Sequence, residues 1–265
     1  MNTPAPIPPC RLCGALTPLE DSHIISDMFV RAYGSKIVTG NHGQEQAASI
    51  LVSTVPGIAS GRKQHGSYEW ALGIKEELLC GKCERQFGEY ERIFRGNFYT
   101  GPRDKPRKKP ITSPTRTVAY PPFKLFLLSL LWRASVASGT FFRNVALDSE
   151  HESKIASALL AESPGPESFY EFAIFDLRLD DHTMEDFTEE PRYYAERNEC
   201  RIIVGGFLFA VHISDGSLPT PPSIRAFSLR CTGEFALRIV HEELRNGGFL
   251  RHAHATGAIP QIAVS

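Results

Sequence analysis

An α+β fold follows from three features of the chain. Residues 121 to 265 carry two helical patterns, then three strand-like runs, then one more helical pattern. That order segregates helices from strands instead of alternating them. Residues 1 to 95 hold two Cys-x-x-Cys pairs, the second opening a helix. Between these parts, residues 96 to 120 are broken by Gly101, Pro102, Pro106, Pro110 and Pro114, and read as a basic linker or arm. The expected organisation is a cysteine-containing module (1–95), an arm (96–120) and an α+β domain of unassigned role (121–265).

The elements can be justified in order. Asp27 to Tyr33 gives a short helical pattern closed by Gly34. Ile50–Val52 and Tyr68–Leu72 read as short strands joined by a Gly- and Ser-rich connection. Phe87, Tyr90, Ile93 and Phe94 recur at helical spacing, so a helix is predicted over residues 83 to 94. Phe123 to Ala137 is apolar on nearly every side and predicts a buried helix; Glu150 to Leu160 predicts an amphipathic one. Strands are predicted over Phe169–Leu177, Arg201–Ile213 and Ile224–Cys231, with Gly205-Gly206 marking a bulge or a close backbone contact in the second. Asp176 to Glu190 reads as a solvated acidic loop. Ala236 to Arg245, stopped by Gly247-Gly248, predicts a final helix.

The composition narrows the function classes. With 42% hydrophobic residues the chain can bury a sizeable core. A formal net charge of −1 means that affinity for nucleic acid must come from a local patch. The longest apolar run, Leu125 to Trp132 with one serine inside it, is far below the ~20 residues needed to cross a bilayer. Met1 to Pro9 lacks the charged and apolar regions of a signal peptide. A cytoplasmic protein is expected, and in that reducing compartment cysteines paired at close spacing point to metal rather than disulfides.

The pairs are Cys10-Arg-Leu-Cys13-Gly14 and Cys80-Gly-Lys-Cys83, with 66 residues between them. Cysteines two residues apart can turn both sulfurs toward one ion, and a glycine beside the turn supplies the backbone freedom such a knuckle needs. Four thiolates make a closed tetrahedral site, structural and not catalytic, and zinc is the expected ion. Two unrelated pairs or a redox motif are the competing readings. Cys200 and Cys231, in or beside strand-like runs, read as buried free thiols.

Between the pairs stands Glu20-Asp21-Ser22-His23-Ile24-Ile25. A Cys-x-x-Cys pair, a His-Ile-Ile segment and a later Leu-Leu-Cys-x-x-Cys-Glu opening a helix resemble divergent bacterial HNH endonuclease-like proteins of the His-Me finger (ββα-metal) class. The resemblance covers residues 10 to about 92, with a weaker echo to about residue 160. It implies a zinc-stapled ββα-metal module with His23 as general base. Glu84, with Asp21, would be the ligand of a Mg²⁺ or Mn²⁺ ion. The residue types suit phosphodiester hydrolysis, because histidine titrates near neutrality and carboxylate oxygen suits a hard cation. Three positions depart from the family pattern: Ser22 stands where Asp is common, Lys75 where Asn is common, and Glu84 where His is common.

The arm adds Arg103, Lys105, Arg107, Lys108 and Lys109, five basic residues in seven. They can lie along phosphates with salt-sensitive affinity, or form a solvated linker. The expected function is therefore metal-dependent hydrolysis of nucleic acid, DNA in the first place. The alternative is a non-catalytic zinc module that binds nucleic acid or a protein partner.

Overall fold

A computed structural model describes residues 7–26, 29, 63–64, 67–68, 75–96, 115–139, 142–179, 182–183, 189–205 and 207–242. Residues 97–114 of the basic arm, the Asp27–Tyr33 pattern apart from Phe29, and Ile50–Val52 lie outside the described residues, as does all of Tyr68–Leu72 except Tyr68.

The N-terminal part is built on two antiparallel strands, β1 (Leu19–His23) and β4 (Lys75–Cys80), paired from Leu19↔Cys80 to His23↔Lys75 with a bulge at Glu20/Asp21. Two-residue strands β2 (Lys63–Gln64) and β3 (Ser67–Tyr68) pair with each other between them in sequence. Helix α1 (Gly81–Phe94) follows β4 directly. Its Cys83, Phe87, Tyr90 and Phe94 are buried, at intervals that keep them on one side of a 3.6-residue helix.

Strand β5 (Thr115–Thr117) leads into α2 (Tyr120–Val136), whose first turn contains Pro121 and Pro122, where a missing N–H costs nothing. Every residue from Phe123 to Ala134 is buried, as expected of a helix packed on all sides. Phe94 of α1 stacks on Phe126 and Phe123 of α2 at centroid distances of 4.1 and 5.1 Å, and Phe87 meets Trp132 edge-on at 6.2 Å. Helix α3 (Ser149–Leu160) is capped by the Asp148 carboxylate, which accepts from the His151 N–H at 2.8 Å.

The C-terminal part is a six-stranded sheet in the order β12-β6-β10-β9-β8, with short β7 (His182–Thr183) paired beside β6. Its strands are β6 (Glu171–Leu179), β8 (Glu189–Tyr194), β9 (Glu199–Val204), β10 (Phe207–His212) and β12 (Arg238–Glu242). Among the described strands only β12 joins parallel to its neighbour. One face, with Phe172, Ile174, Phe209 and Ile202, meets the helices: Phe209 lies 6.3 Å from Phe94, and Lys124 of α2 sits 5.1 Å above Phe172. On the other face Glu171, His212 and Glu199 are in register on three neighbouring strands, all buried. The Thr220 and Ser228 hydroxyls bond the Glu171 carboxylate. A single cluster of buried side chains runs from Cys10 to Leu237, through both the cysteine-containing part and the sheet.

Five expectations are corrected. The predicted final helix is β11 (Glu234–Ala236) and β12, because β-branched Ile239 and Val240 add to the edge of β6 and tertiary pairing outweighs helical spacing. The Ile224–Cys231 strand is a short helix α4 (Pro222–Arg225), started at a proline, followed by turns with one isolated bridge from Ser228 to Ala173. The Arg201–Ile213 run is not one strand but two, β9 and β10, paired from Phe207↔Val204 onward; Gly205, at φ 57°, is no bulge but is closely approached, since a Cβ there would lie 2.6 Å from the Phe29 ring. Asp176 is no loop residue but a buried position in β6, which runs on to Leu179. Cys200 is buried as expected, whereas Cys231 is exposed in the turn before β11.

Candidate functional site

The four paired cysteines meet where β4 ends and α1 begins. Their sulfurs all lie within 4.8 Å of one another, with Cys10, Cys80 and Cys83 buried and Cys13 exposed. The first knuckle closes through Gly14 N–H donating to the Cys10 carbonyl at 2.8 Å, with Gly14 at φ 73°. It is sewn to the strand by Arg11 N–H to the Leu78 carbonyl (3.1 Å) and by Cys80 N–H to the Cys10 sulfur (3.3 Å). Backbone N–H donors thus hold the sulfurs in place from two segments 66 residues apart.

The spacing tests the fit to a metal. Cys13 Sγ and Cys80 Sγ are 3.7 Å apart. A tetrahedral ion with four sulfurs at 2.3 Å would separate them by about 3.8 Å. The Cys83 backbone N–H aimed at the Cys80 sulfur pulls that thiol down to about 6, against its burial, while burial pushes the Cys83 thiol well up. The donor set therefore fits a soft or borderline cation that displaces the remaining protons.

His23 is the last residue of β1 and is half-buried; Ser22 before it and Ile24, Ile25 and Ser26 after it are buried. Because side chains alternate along a strand, Asp21 and His23 share one side of the hairpin and Ser22 takes the other. Ser22 thus points into the protein, its hydroxyl donating to the Glu20 carbonyl at 3.3 Å. Asp21 is 67% exposed, and its carboxylate lies 3.5 Å from the Lys75 ammonium. Glu84 sits in the first turn of α1, directly after the last cysteine. Its Oε2 is buried and, among the described residues, has no hydrogen-bond partner. A carboxylate oxygen in that state calls for a cation or water.

The structure thus gathers the four cysteines, and puts Asp21 and His23 on one strand of the unit whose helix carries Glu84. The arm residues Arg103, Lys105, Arg107, Lys108 and Lys109 lie outside the described residues. Arg133, inside the apolar run of α2, joins the residues of that strand-and-helix unit. It is 1% exposed, its Nη1 donates to the His23 carbonyl at 2.6 Å, and its Nη2 lies 2.9 Å from Glu91 Oε1. The signal was present: an arginine inside an apolar run is almost never fully buried without a partner.

Fold and site define a class: a mixed α+β chain whose N-terminal strand pair and helix meet at four clustered cysteines able to hold a metal ion. Compared with family models, with curated proteins and with solved structures, the chain gives no match. Among the described residues no helix is long and apolar enough to cross a membrane.

Proposed function

We propose that the protein is a metal-dependent, HNH-like endonuclease acting on DNA, with a zinc ion on Cys10, Cys13, Cys80 and Cys83 as the staple of its N-terminal module. The observation that carries this reading is the pairing of β1 with β4 and the helix that follows β4 directly, with His23 ending the first strand and the second cysteine pair opening the helix. The same ββα order underlies the resemblance drawn from the sequence.

His23 is half-exposed at the strand end, within reach of solvent, as a base that takes a proton from water must be. Glu84, with its orphaned buried oxygen, is the residue that would hold Mg²⁺ or Mn²⁺. Bound there, such a cation supplies positive charge against the phosphate. Asp21 contributes only when Lys75 releases it. The cysteines stay out of the chemistry, since four thiolates leave no open position. The basic residues from Arg103 to Lys109 contribute backbone affinity that falls with salt.

The Asp21–Lys75 ion pair also favours a second reading. Lys75 occupies a position where the family commonly has Asn, and it occupies the very carboxylate the metal would need. A zinc module that binds nucleic acid or a protein partner without cutting follows from that.

Plasmid DNA incubated with Mg²⁺ or Mn²⁺ and the purified protein decides between them, beside a His23→Ala variant that retains its zinc. Cleavage by the wild type alone is the expected result. Salt-sensitive binding without cleavage favours the second reading, and equal cleavage by both proteins removes His23 from the mechanism.

A further inference from the structure

We infer that Arg133 is a positioning residue for His23, acting from the middle of the protein through the strand end that carries the base. The inference rests on the reading of His23 as that base.

The guanidinium is among the most deeply buried charges of the described chain, on a helix otherwise packed with apolar side chains. Each part of it has an assignment. Nη1 donates to the His23 carbonyl at 2.6 Å. Nη2 lies 2.9 Å from Glu91 Oε1, a charge contact whose angles fall short of a hydrogen bond. Nε leans on the Ser129 carbonyl at 3.4 Å, and the guanidinium carbon stands 5.4 Å over the Phe87 ring. One planar group therefore joins the end of β1, the outer half of α1 and the core helix α2.

Such a group is a poor choice for stability alone. A buried ion pair is often no better than apolar side chains of similar volume, so its retention asks for a reason of geometry. Here the geometry is specific. Nη1 addresses the carbonyl of the candidate base itself, and its counter-charge, Glu91, stands two turns along α1 from Glu84 on the same face. The fork thus fixes the backbone of residue 23 against the helix that bears the candidate cation ligand. A lysine in its place has one point of charge and cannot serve both acceptors in a fixed plane.

Because Arg133→Met alone leaves the half-buried Glu91 without its counter-charge, the test uses Glu91→Gln with Arg133→Met, which removes both charges together. Zinc content and thermal midpoint are measured first and are expected to stay near wild type. Plasmid cleavage by the double variant is then expected to fall about 100-fold in kcat with KM for DNA unchanged, the size of loss a misplacement near 1 Å produces. Arg133→Lys is expected to restore part of it. In a His23→Ala background the same pair of substitutions is expected to add no further loss, because a residue acting through His23 has nothing left to act on. Unchanged kcat, or full additivity with His23→Ala, overturns the inference.

A wild type that cleaves nothing defeats the nuclease reading, and the positioning is then read by NMR of the imidazole rings. The double variant is expected to shift the His23 ring resonances while those of His151 and His212 stay in place. Superimposable His23 signals overturn the inference independently of any activity.

Discussion

The two ends of the β1–β4 strand pair solve opposite problems. At the Leu19–Cys80 end four sulfurs converge, three of them buried, and backbone N–H groups have already chosen their positions. At the His23–Lys75 end the groups with chemistry are dispersed. Asp21 faces Lys75, the His23 carbonyl is held by an arginine from another helix, and Glu84 stands away from both, beside the cysteines in the first turn of α1. The cysteine end is specified locally, by knuckles that carry their own geometry. The histidine end is specified at long range, by α2. Damage at the first end should therefore appear as lost structure, and damage at the second as lost geometry with the fold kept.

The largest effect that can break this contrast is loss of the staple. Cys83→Ala, or chelation of the wild type, is expected to remove stoichiometric zinc and lower the thermal midpoint by at least ~10 °C, since structural zinc sites contribute directly to folding. Elemental analysis with calorimetry checks it; a metal-free protein that melts with the wild type would deny the sulfurs a structural role. Next comes Arg133→Met alone. It leaves the half-buried Glu91 carboxylate without its partner and is expected to cost roughly 1–3 kcal/mol in urea unfolding, part of it recovered when Glu91→Gln is added.

A sharper comparison uses the other buried cation of α2. Lys124 has one carbonyl partner, Tyr170 at 2.7 Å, and burial lowers its pKa to about 7 despite Glu171 and Glu167 nearby. Between pH 7 and 10.5 the unfolded lysine holds a proton that the folded one has released. Stability therefore rises with pH through that window, by up to about 1.4 kcal/mol per pH unit for one group. Lys124→Met is expected to flatten the rise in denaturant titrations run across the window. Arg133→Lys leaves this pH window unchanged, because the Lys124 surroundings stay as they are. The smallest stability effect belongs to His23→Ala, expected to stay within about 1 kcal/mol because the ring is half-exposed. A larger loss in the same unfolding assay would make His23 a structural residue first.

The sequence made the local end legible and left the long-range end obscure, for the same physical reason. Two Cys-x-x-Cys pairs carry their purpose in four residues each, and Phe87, Tyr90 and Phe94 announce a helix by spacing alone. The apolar run around Leu127 did the same for α2. Nothing within reach of residues 236 to 242 says that Ile239 and Val240 pair with β6, more than sixty positions earlier, so helical spacing was read where an edge strand forms. Likewise the prolines before Ile224 start a helical turn whose neighbour is visible only in three dimensions. Arg133 is the instructive residue: its burial could be suspected from its apolar neighbours, but its partner, the carbonyl of residue 23, has no side-chain signature at all.

The small β5–β11 pair has a consequence for how the chain is made. Thr115–Thr117 pairs with Glu234–Ala236, and the Val118 N–H reaches the Gly233 carbonyl at 3.0 Å. Phe123 at the head of α2 rests on Phe235, 5.7 Å between ring centres. These partners are separated by more than a hundred residues, so on a ribosome roughly 6–23 s pass between the emergence of one and of the other. During that interval the face of Phe123 that Phe235 will cover, opposite its contact with Phe94, has to wait as an apolar surface. The nascent chain is thus most vulnerable to aggregation late in its synthesis, and cells that slow translation near residue 230 would lengthen that exposure.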